Sequence, residues 1–450
     1  MSIMQLHRCT RLSVHAFRRC YTTNKVIFLD EQQLKALDLE TAESHDIALS
    51  DLPSASTVRR SVEADYGRKR IGCVELPKPL IKGIAGLVDE HQDKRLIRED
   101  ALRLYEALRS TARMPEEKIP SNQSKKQIKP TEPHTVSYGP RESVAYAAGV
   151  LPTTYAAITN VFAEVSKRMA DFKPKTMLDF GTGPGTAIWA AHEVFDVEKY
   201  VGVDLSEDML RVAEQLEETT GKKKEIEFRR YLALDPQASK PDLVVSAFTL
   251  GDISSAAVQK STVQQLWDQT GDVLILIDRG TPIGFSNIAR ARQWVLDSGD
   301  NVHVVAPCPH DHPCPLLFSP EAKPDRLWCH FSQRVQRPSF LMKTKHSKLN
   351  LEDSKYSYVV LRRGRRPEET DSIQNQAYSW PRLVSPPLKN KGHVVMDVCA
   401  QSGEIQRMII PKSQGKIPYR DARKVMWGDL FPHPPKNKVV TRVSKGVQTE

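Results

Sequence analysis

The chain has 450 residues, 40% hydrophobic and 27% charged, and its 65 Lys and Arg exceed its 55 Asp and Glu for a formal charge of +10. That length predicts about two to three folded units, and no apolar run approaches the ~20 residues of a membrane-spanning helix, so no membrane partner is expected. Seven cysteines are an odd number that speaks against a disulfide framework, and the basic excess is compatible with a polyanionic partner.

Residues 1–24 differ from the rest. Arg8, Arg11, Arg18 and Arg19 stand among Ser and Thr, and no acid precedes Asp30. Leu6, Leu12, Val14 and Phe17 supply the apolar side of an amphipathic helix. This composition predicts a mitochondrial presequence and import into the matrix, with no unbroken apolar run for a secretory signal. Residues 25–135 read as a helical N-terminal region with a linker: Leu80, Ile84, Leu87, Leu96, Leu102, Leu104, Tyr105 and Leu108 recur at helical spacing, then prolines at 115, 120, 130 and 133 break the pattern.

Residues 136–300 read as an alternating α/β domain. A helix opens at Leu151-Pro152 with Tyr155, Ile158, Phe162, Val165 and Met169 on one face. Strands are predicted at 176–180, 200–204, 226–231, 243–246 and 273–278, with helices from about Thr186 and after a Ser206 cap. Alternation of this kind predicts a doubly wound parallel sheet covered on both faces. After residue 300 the pattern breaks. Residues 301–435 form a region rich in Cys, His, Pro and base, with a strand at 356–362 and a hairpin from 393–399 and 405–410; residues 436–450 read as a basic tail.

The stretch Asp179-Phe-Gly181-Thr-Gly183-Pro-Gly185 joins a strand to a helix. Its glycines let the chain turn sharply and let a ligand touch the backbone. A dinucleotide loop reads G-x-G-x-x-G; here the third glycine is one position early and Asp179 precedes the first. A carboxylate there disfavours pyrophosphate and suits the cationic ligand S-adenosylmethionine, while Asp204, at the end of the next strand, can accept ribose hydroxyls. The candidate cofactor residues are Asp179, Gly181, Gly183, Gly185 and Asp204, and the pattern resembles the class I methyltransferase fold. No catalytic residue is nominated. The segment after the fourth strand, Ser246-Ala-Phe-Thr-Leu-Gly251, lacks the Asn/Asp-Pro-Pro-Tyr/Phe motif of N-methyltransferases, and no cysteine stands nearby for attack on a pyrimidine. Asp252 and Asp278 are available acids.

Cys308, Cys314, Cys329 and Cys399 lie in the C-terminal third. Thiolates gathered from a proline-stiffened loop suit a soft metal. Proline beside cysteine fits an iron–sulfur ligand, and zinc accepts four cysteines or a substitute from His310, His312 or His330.

Leu151-Pro-Thr-Thr-Tyr155, the glycine loop, Cys308-Pro-His-Asp311, Trp328-Cys-His-Phe-Ser-Gln333, Lys412-Ser-Gln-Gly415 and Trp427-Gly-Asp-Leu430 together resemble the methyltransferase-like protein 17 family of mitochondrial ribosomal small-subunit assembly factors. The resemblance implies an α/β class I methyltransferase-like sheet with a helical N-terminal region and an inserted metal-binding, β-containing C-terminal region that completes the sheet. It also implies a 4Fe-4S cluster on Cys308, Cys314, Cys329 and Cys399, with zinc as the alternative metal. The implied partners are small-subunit rRNA, ribosomal proteins and other assembly factors in the matrix. The family's methyltransferase fold is regarded as lacking activity; an active S-adenosylmethionine-dependent rRNA methyltransferase is the alternative reading. RNA gives the charge a purpose. Residues 321–366 hold twelve Lys/Arg against four acids, and Lys412, Lys416, Arg420, Arg423 and Lys424 follow. Tyr419, Trp427 and Phe431 are candidates for stacking on unpaired bases.

Overall fold

The computed structural model describes residues 60–110, 137–219, 224–232, 239–299, 301–345, 348–368 and 370–447. The expected presequence and proline-rich linker lie outside them. The strands, in chain order, are β1 Cys73–Val74, β2 Thr176–Phe180, β3 Lys199–Val203, β4 Glu225–Arg229, β5 Leu243–Ala247, β6 Val273–Arg279, β7 Val302–Ala306, β8 Phe331–Gln336 and β9 Leu351–Arg363, then β10 Arg382–Leu383, β11 Leu388–Lys389, β12 His393–Cys399, β13 Ile405–Pro411 and β14 Val440–Val443.

The first sheet runs β1-β8-β9-β6-β5-β2-β3-β4, with β7 also paired to β9. From β4 to β6 every pairing is parallel. β9 breaks the parallel expectation: it is antiparallel to β6 along one edge, and its other edge takes β7 and β8. Alternate residues of the central strands face opposite sides, as a pleated strand requires. Met177, Val245, Ile275 and Ile277 pack into one core with the helices Leu151–Arg168 and Thr186–Val194. Leu178, Val244, Leu274 and Leu276 pack into a second core with the helices Ala256–Gln269 and Pro282–Leu296. Both faces are therefore covered, and the central strands are near-continuous apolar runs.

Ser206 caps the helix Glu207–Glu218, its hydroxyl accepting from Met209 N–H with Glu207 and Asp208 in the first turn. The N-terminal helices Lys78–Glu90 and Lys94–Ser110 form around buried Leu80, Ile84, Leu87, Leu104 and Leu108. Leu96, Leu102 and Tyr105, read as part of the same apolar face, are instead 37%, 37% and 43% exposed, and Ile97 and Ala101 fill the core. The stretch 301–355, which shows little periodicity in sequence, holds β7, β8 and the short helices Pro315–Phe318 and Ser339–Thr344. β8 does alternate, with Phe331, Gln333 and Val335 buried, but one of its inward residues is a glutamine. The last strands form a separate sheet, β10-β12-β13-β14 with β11 on β12, whose own core holds Leu383, Val394, Met396, Met408 and Phe431. Residues 440–443, within the expected tail, pair with β13 in this sheet.

Candidate cofactor cleft and thiol cavity

The glycine loop leaves β2 with φ of +74° at Gly181, +51° at Gly183 and +76° at Gly185. Side chains rarely adopt such angles. At Gly181 space decides as well, because a Cβ would sit 2.1 Å from Thr249 Oγ1. At Gly183 a Cβ would meet nothing within 4 Å. Gly181 and Thr182 both donate their N–H groups to Val203 O at the end of β3, which ties the loop to the neighbouring strand.

Asp179 is 1% exposed and accepts a 2.7 Å hydrogen bond from Thr182 Oγ1. Burial pushes its carboxyl up to about 7, with the Asp204 carboxylate adding to the rise and the Thr182 hydroxyl opposing it. Asp204 follows β3 and accepts the N–H groups of Gly183, at 2.8 Å, and Ser206, at 2.9 Å. Asp179, Gly181 and Gly183 line one cavity; Asp204 grips the loop from its flank, and Gly185 is the residue from which the next helix starts. Both acids named from the sequence thus meet the same loop, already engaged in hydrogen bonds within it.

The cavity is small, about 20 Å³, which is room for about one water molecule. Tyr146 and Phe248 line it. The Tyr146 ring packs edge-on against Tyr138 at 5.8 Å, and Tyr138 O accepts from Ser206 Oγ. The donor set suits a cationic amino-acid cofactor. Sequence reasoning missed Tyr146; nothing in its spacing marks it as a residue of this cavity. Phe248, in the segment lacking an acceptor motif, has φ +62°, a conformation costing a bulky residue roughly 1–2 kcal/mol. Its N–H donates to Ile277 O at 2.7 Å, which holds it there. Asp278 is buried and accepts from Asn287 Nδ2 and Arg279 N–H, and Asp252 faces Arg279 at 3.7 Å. These contacts assign both acids structural partners.

The four cysteines come from distant parts of the chain to line one apolar cavity of about 40 Å³. Cys308 follows β7, Cys314 begins the helix Pro315–Phe318, Cys329 precedes β8 and Cys399 ends β12. Burial pushes the Cys314 thiol up to about 12, and Cys329 and Cys399 rise well above the ordinary thiol range for the same reason, each also pushed by the neighbouring sulfurs. Without a cation the buried thiols are thus held in their neutral form. Among the described residues, no group of three or more His, Cys, Asp or Glu converges tightly enough to hold a single metal ion. His310 reaches the set through Nε2, 3.2 Å from Cys399 Sγ; His312 stacks on His310, and His330 stacks on Trp328. Arg292 also lines the cavity, 2% exposed, with Nη2 donating to His310 O and with Nε and Nη1 lacking hydrogen-bond partners among the described residues. No sequence signal singles it out within its helix.

Six of the twelve basic residues in 321–366 are engaged in contacts within the fold, while Lys323, Arg326, Lys343, Lys348, Lys355 and Arg365 are exposed. Arg334 pairs with Asp353, Arg337 and Lys345 with Glu352, Arg362 with Asp171 and Asp272, and Arg366 with Asp311. Arg363 donates to Thr270 O and Trp267 O and lies over the Trp267 ring. Phe431, read as a stacking residue, is 1% exposed in the C-terminal core, and the Trp427 ring packs edge-on against His330. Lys412, Lys416 and Arg423 are exposed.

Five parallel strands in the order β4-β3-β2-β5-β6, an antiparallel β9 beside β6, a glycine loop after β2 and an acid after β3 define a class I methyltransferase-like α/β protein. Residues 140–432 match the family described as "Mitochondrial small ribosomal subunit Rsm22", and the chain belongs to that family. It is 35% identical over 312 residues to the human "Ribosome assembly protein METTL17, mitochondrial", covering 66% of this chain and 64% of that one. With the Saccharomyces cerevisiae "Ribosome assembly protein RSM22, mitochondrial" it shares 24% identity over 72% of each chain. It is 31% identical to the Schizosaccharomyces pombe "Rsm22-cox11 tandem protein 2, mitochondrial", over 64% of this chain and 43% of that one. The chain thus spans somewhat less than two thirds of the human relative and under half of the fission-yeast one. Among solved structures, the magnesium protoporphyrin IX methyltransferase of Synechocystis PCC 6803 is 12% identical, covering 58% of this chain and 94% of its own, at a TM-score of 0.31.

Proposed function

We propose that this chain is a mitochondrial assembly factor of the small ribosomal subunit that works in the matrix and binds small-subunit rRNA, with ribosomal proteins and other assembly factors as its neighbours. The relatives' names as mitochondrial ribosome assembly proteins support the setting. The observation that carries a scaffold rather than a transferase is that the acids near the loop, Asp252 and Asp278, are already engaged by Arg279 and Asn287, in a region without an acceptor motif. In this reading Asp179, Gly181, Gly183, Gly185 and Asp204 remain the S-adenosylmethionine site. The cofactor, when bound, supplies an electrophilic methyl group; this chain's residues would bind its amino group and ribose, and no residue is assigned to an acceptor.

The reading includes a 4Fe-4S cluster on Cys308, Cys314, Cys329 and Cys399. Four thiols around one apolar cavity support it, as does the buried Arg292 cation beside them. Zinc, which takes four cysteines or a histidine in place of one, is the alternative metal for the same set. The cluster's part is to staple the loop that bears Cys308 and Cys314 to the C-terminal sheet through Cys399. Replacing Cys308 or Cys314 with Ser tests this: absorption near 400 nm in anaerobically purified protein and association with small-subunit precursors are expected to be lost together. Unchanged association after cluster loss would overturn it.

The active-enzyme reading is separated by an Asp179→Ala, Gly183→Arg double variant. A Cβ at Gly183 would meet nothing within 4 Å, but the φ of +51° strains any side chain there, so folding of the variant is checked by circular dichroism and Tm beside the rescue. Full rescue of a knockout supports the scaffold; failed rescue by a folded variant, with methyl label transferred from the cofactor to rRNA by the wild type, supports the enzyme.

A further inference from the structure

A third pocket lies between the loop 65–71 and the end of the helix Leu151–Arg168, linked to the thiol cavity through Arg382. Its volume is about 230 Å³. Arg68, Lys69, Arg70, Lys167 and Arg168 line it, against Asp65, which is exposed, and Glu164, which is already paired. Glu164 is bound by Lys69 at 2.5 Å and Arg382 at 2.6 Å, all three nine-tenths or more buried. Arg168 is 3% exposed; its Nη2 donates to Ala377 O at 3.4 Å, and its Nε and Nη1 have no hydrogen-bond partner among the described residues. Lys69, Arg168 and Arg382 thus surround Glu164, with Asp429 buried beside Lys69, whose backbone N–H it accepts at 2.9 Å, and with the Arg168 guanidinium over the Tyr378 ring at 4.7 Å. Five cations against two acids in the lining leave the pocket a net positive charge, which suits an anion.

The surface beside it continues the charge. Arg70 Nη1 contacts Met426 Sδ at 3.9 Å, Arg60 Nη2 donates to Lys424 O at 2.8 Å, and Arg423 is exposed on the same short helix, Lys416–Lys424. Lys389 lies within electrostatic reach of Arg423 and Arg60. A track of positive charge that ends in a pocket lined by five cations fits a chain of phosphates better than one free ion.

We propose that this pocket seats a backbone phosphate of a single RNA strand, which then runs along Arg70, Arg60 and Arg423. The proposal rests on the RNA-binding reading above. Arg68, Arg70 and Lys167 are exposed enough to change without unmaking the core. In the full chain, an Arg68→Gln, Arg70→Gln, Lys167→Gln variant is expected to bind a short fluorescent oligouridylate at least tenfold more weakly in low salt. Its slope of log affinity against log salt should shrink by about two, at roughly 0.7 per lost contact on a single strand. A Lys240→Gln, Lys260→Gln, Lys323→Gln control removes equal charge outside the pocket and should lose much less.

Inorganic phosphate is the second probe, read as a rise in Tm over chloride at matched ionic strength. It should stabilise the wild type and fail to stabilise the triple variant or Arg168→Met. Equal losses in both triple variants, or no loss in either, would overturn the proposal. Stabilisation by phosphate with unchanged oligouridylate binding overturns the RNA strand as its source. If the wild type takes phosphate in this pocket and binds no RNA, the RNA-binding reading itself fails while the anion site stands.

Discussion

Arg382 and Glu164, 218 residues apart, meet in an ion pair of 2.6 Å with side chains 2% and 7% exposed. Arg382 opens the C-terminal sheet, and Glu164 lies on the helix that covers the methyltransferase-like sheet. The same guanidinium donates to Pro307 O, next to Cys308, and to Gly428 O. Burial alone would raise the Glu164 carboxyl, but Arg382, Lys69 and Arg168 hold it well below the usual range. The two sheets are therefore joined through one charged node.

Removing one partner of a buried pair strands the other, at about 3–5 kcal/mol. Arg382→Met should lower unfolding free energy by that order in denaturant titration and expose the segment 382–443 to protease. Loss of less than about 1 kcal/mol, the scale of an exposed pair, would show that the node does not hold the sheets together.

Arg292 should act with opposite signs in the two states of the thiol cavity. In cluster-free protein its spare donors are a liability of about 1–3 kcal/mol, so Arg292→Met is expected to raise stability. With an anionic cluster in place the same cation neutralises charge, so the variant should retain less iron and sulfide after purification. Measuring Tm of the apo form and metal content of the holo form checks both signs.

Asp179 makes stability depend on pH. Its folded pKa, about 7, lies above the value of 3.8 for an unperturbed Asp. Between these the folded form holds a proton that the unfolded chain has released. The contribution is thus fully present below about pH 4 and falls as pH rises through 7, by up to about 1.4 kcal/mol per pH unit. Asp179→Asn should flatten that part of the profile, and identical slopes for the two proteins would show that the carboxyl does not titrate there.

Tyr146→Ala should open the cleft. S-Adenosylmethionine is expected to bind this variant more tightly than the wild type in calorimetry, because the cavity that Tyr146 lines beside Asp179 is widened. Equal affinities would place the barrier elsewhere, with Phe248 the next residue to change.

The sequence by itself determined the elements whose signals are local. The period of Tyr155, Ile158, Phe162 and Val165 sets one helix face, Ser206 caps another helix, and glycines at 181, 183 and 185 mark a left-handed loop beside two acids. It also marked Cys308, Cys314, Cys329 and Cys399 as a set, since cysteine is sparse elsewhere. Tertiary structure alone decided what those marks amount to. It joined β7 and β8 to the edge of β9, a pairing carried by backbone hydrogen bonds that periodicity hardly registers. It drew Arg334, Arg337, Lys345, Arg362 and Arg366 of the basic run into ion pairs, because their acids lie far away in sequence or across a turn, and left the others at the surface. It also set Tyr146 beside the cofactor loop and Arg292 beside the thiols, and gathered Lys69, Arg168 and Arg382 around one glutamate. Long-range charge placement has no period to read; it exists only once the chain has folded.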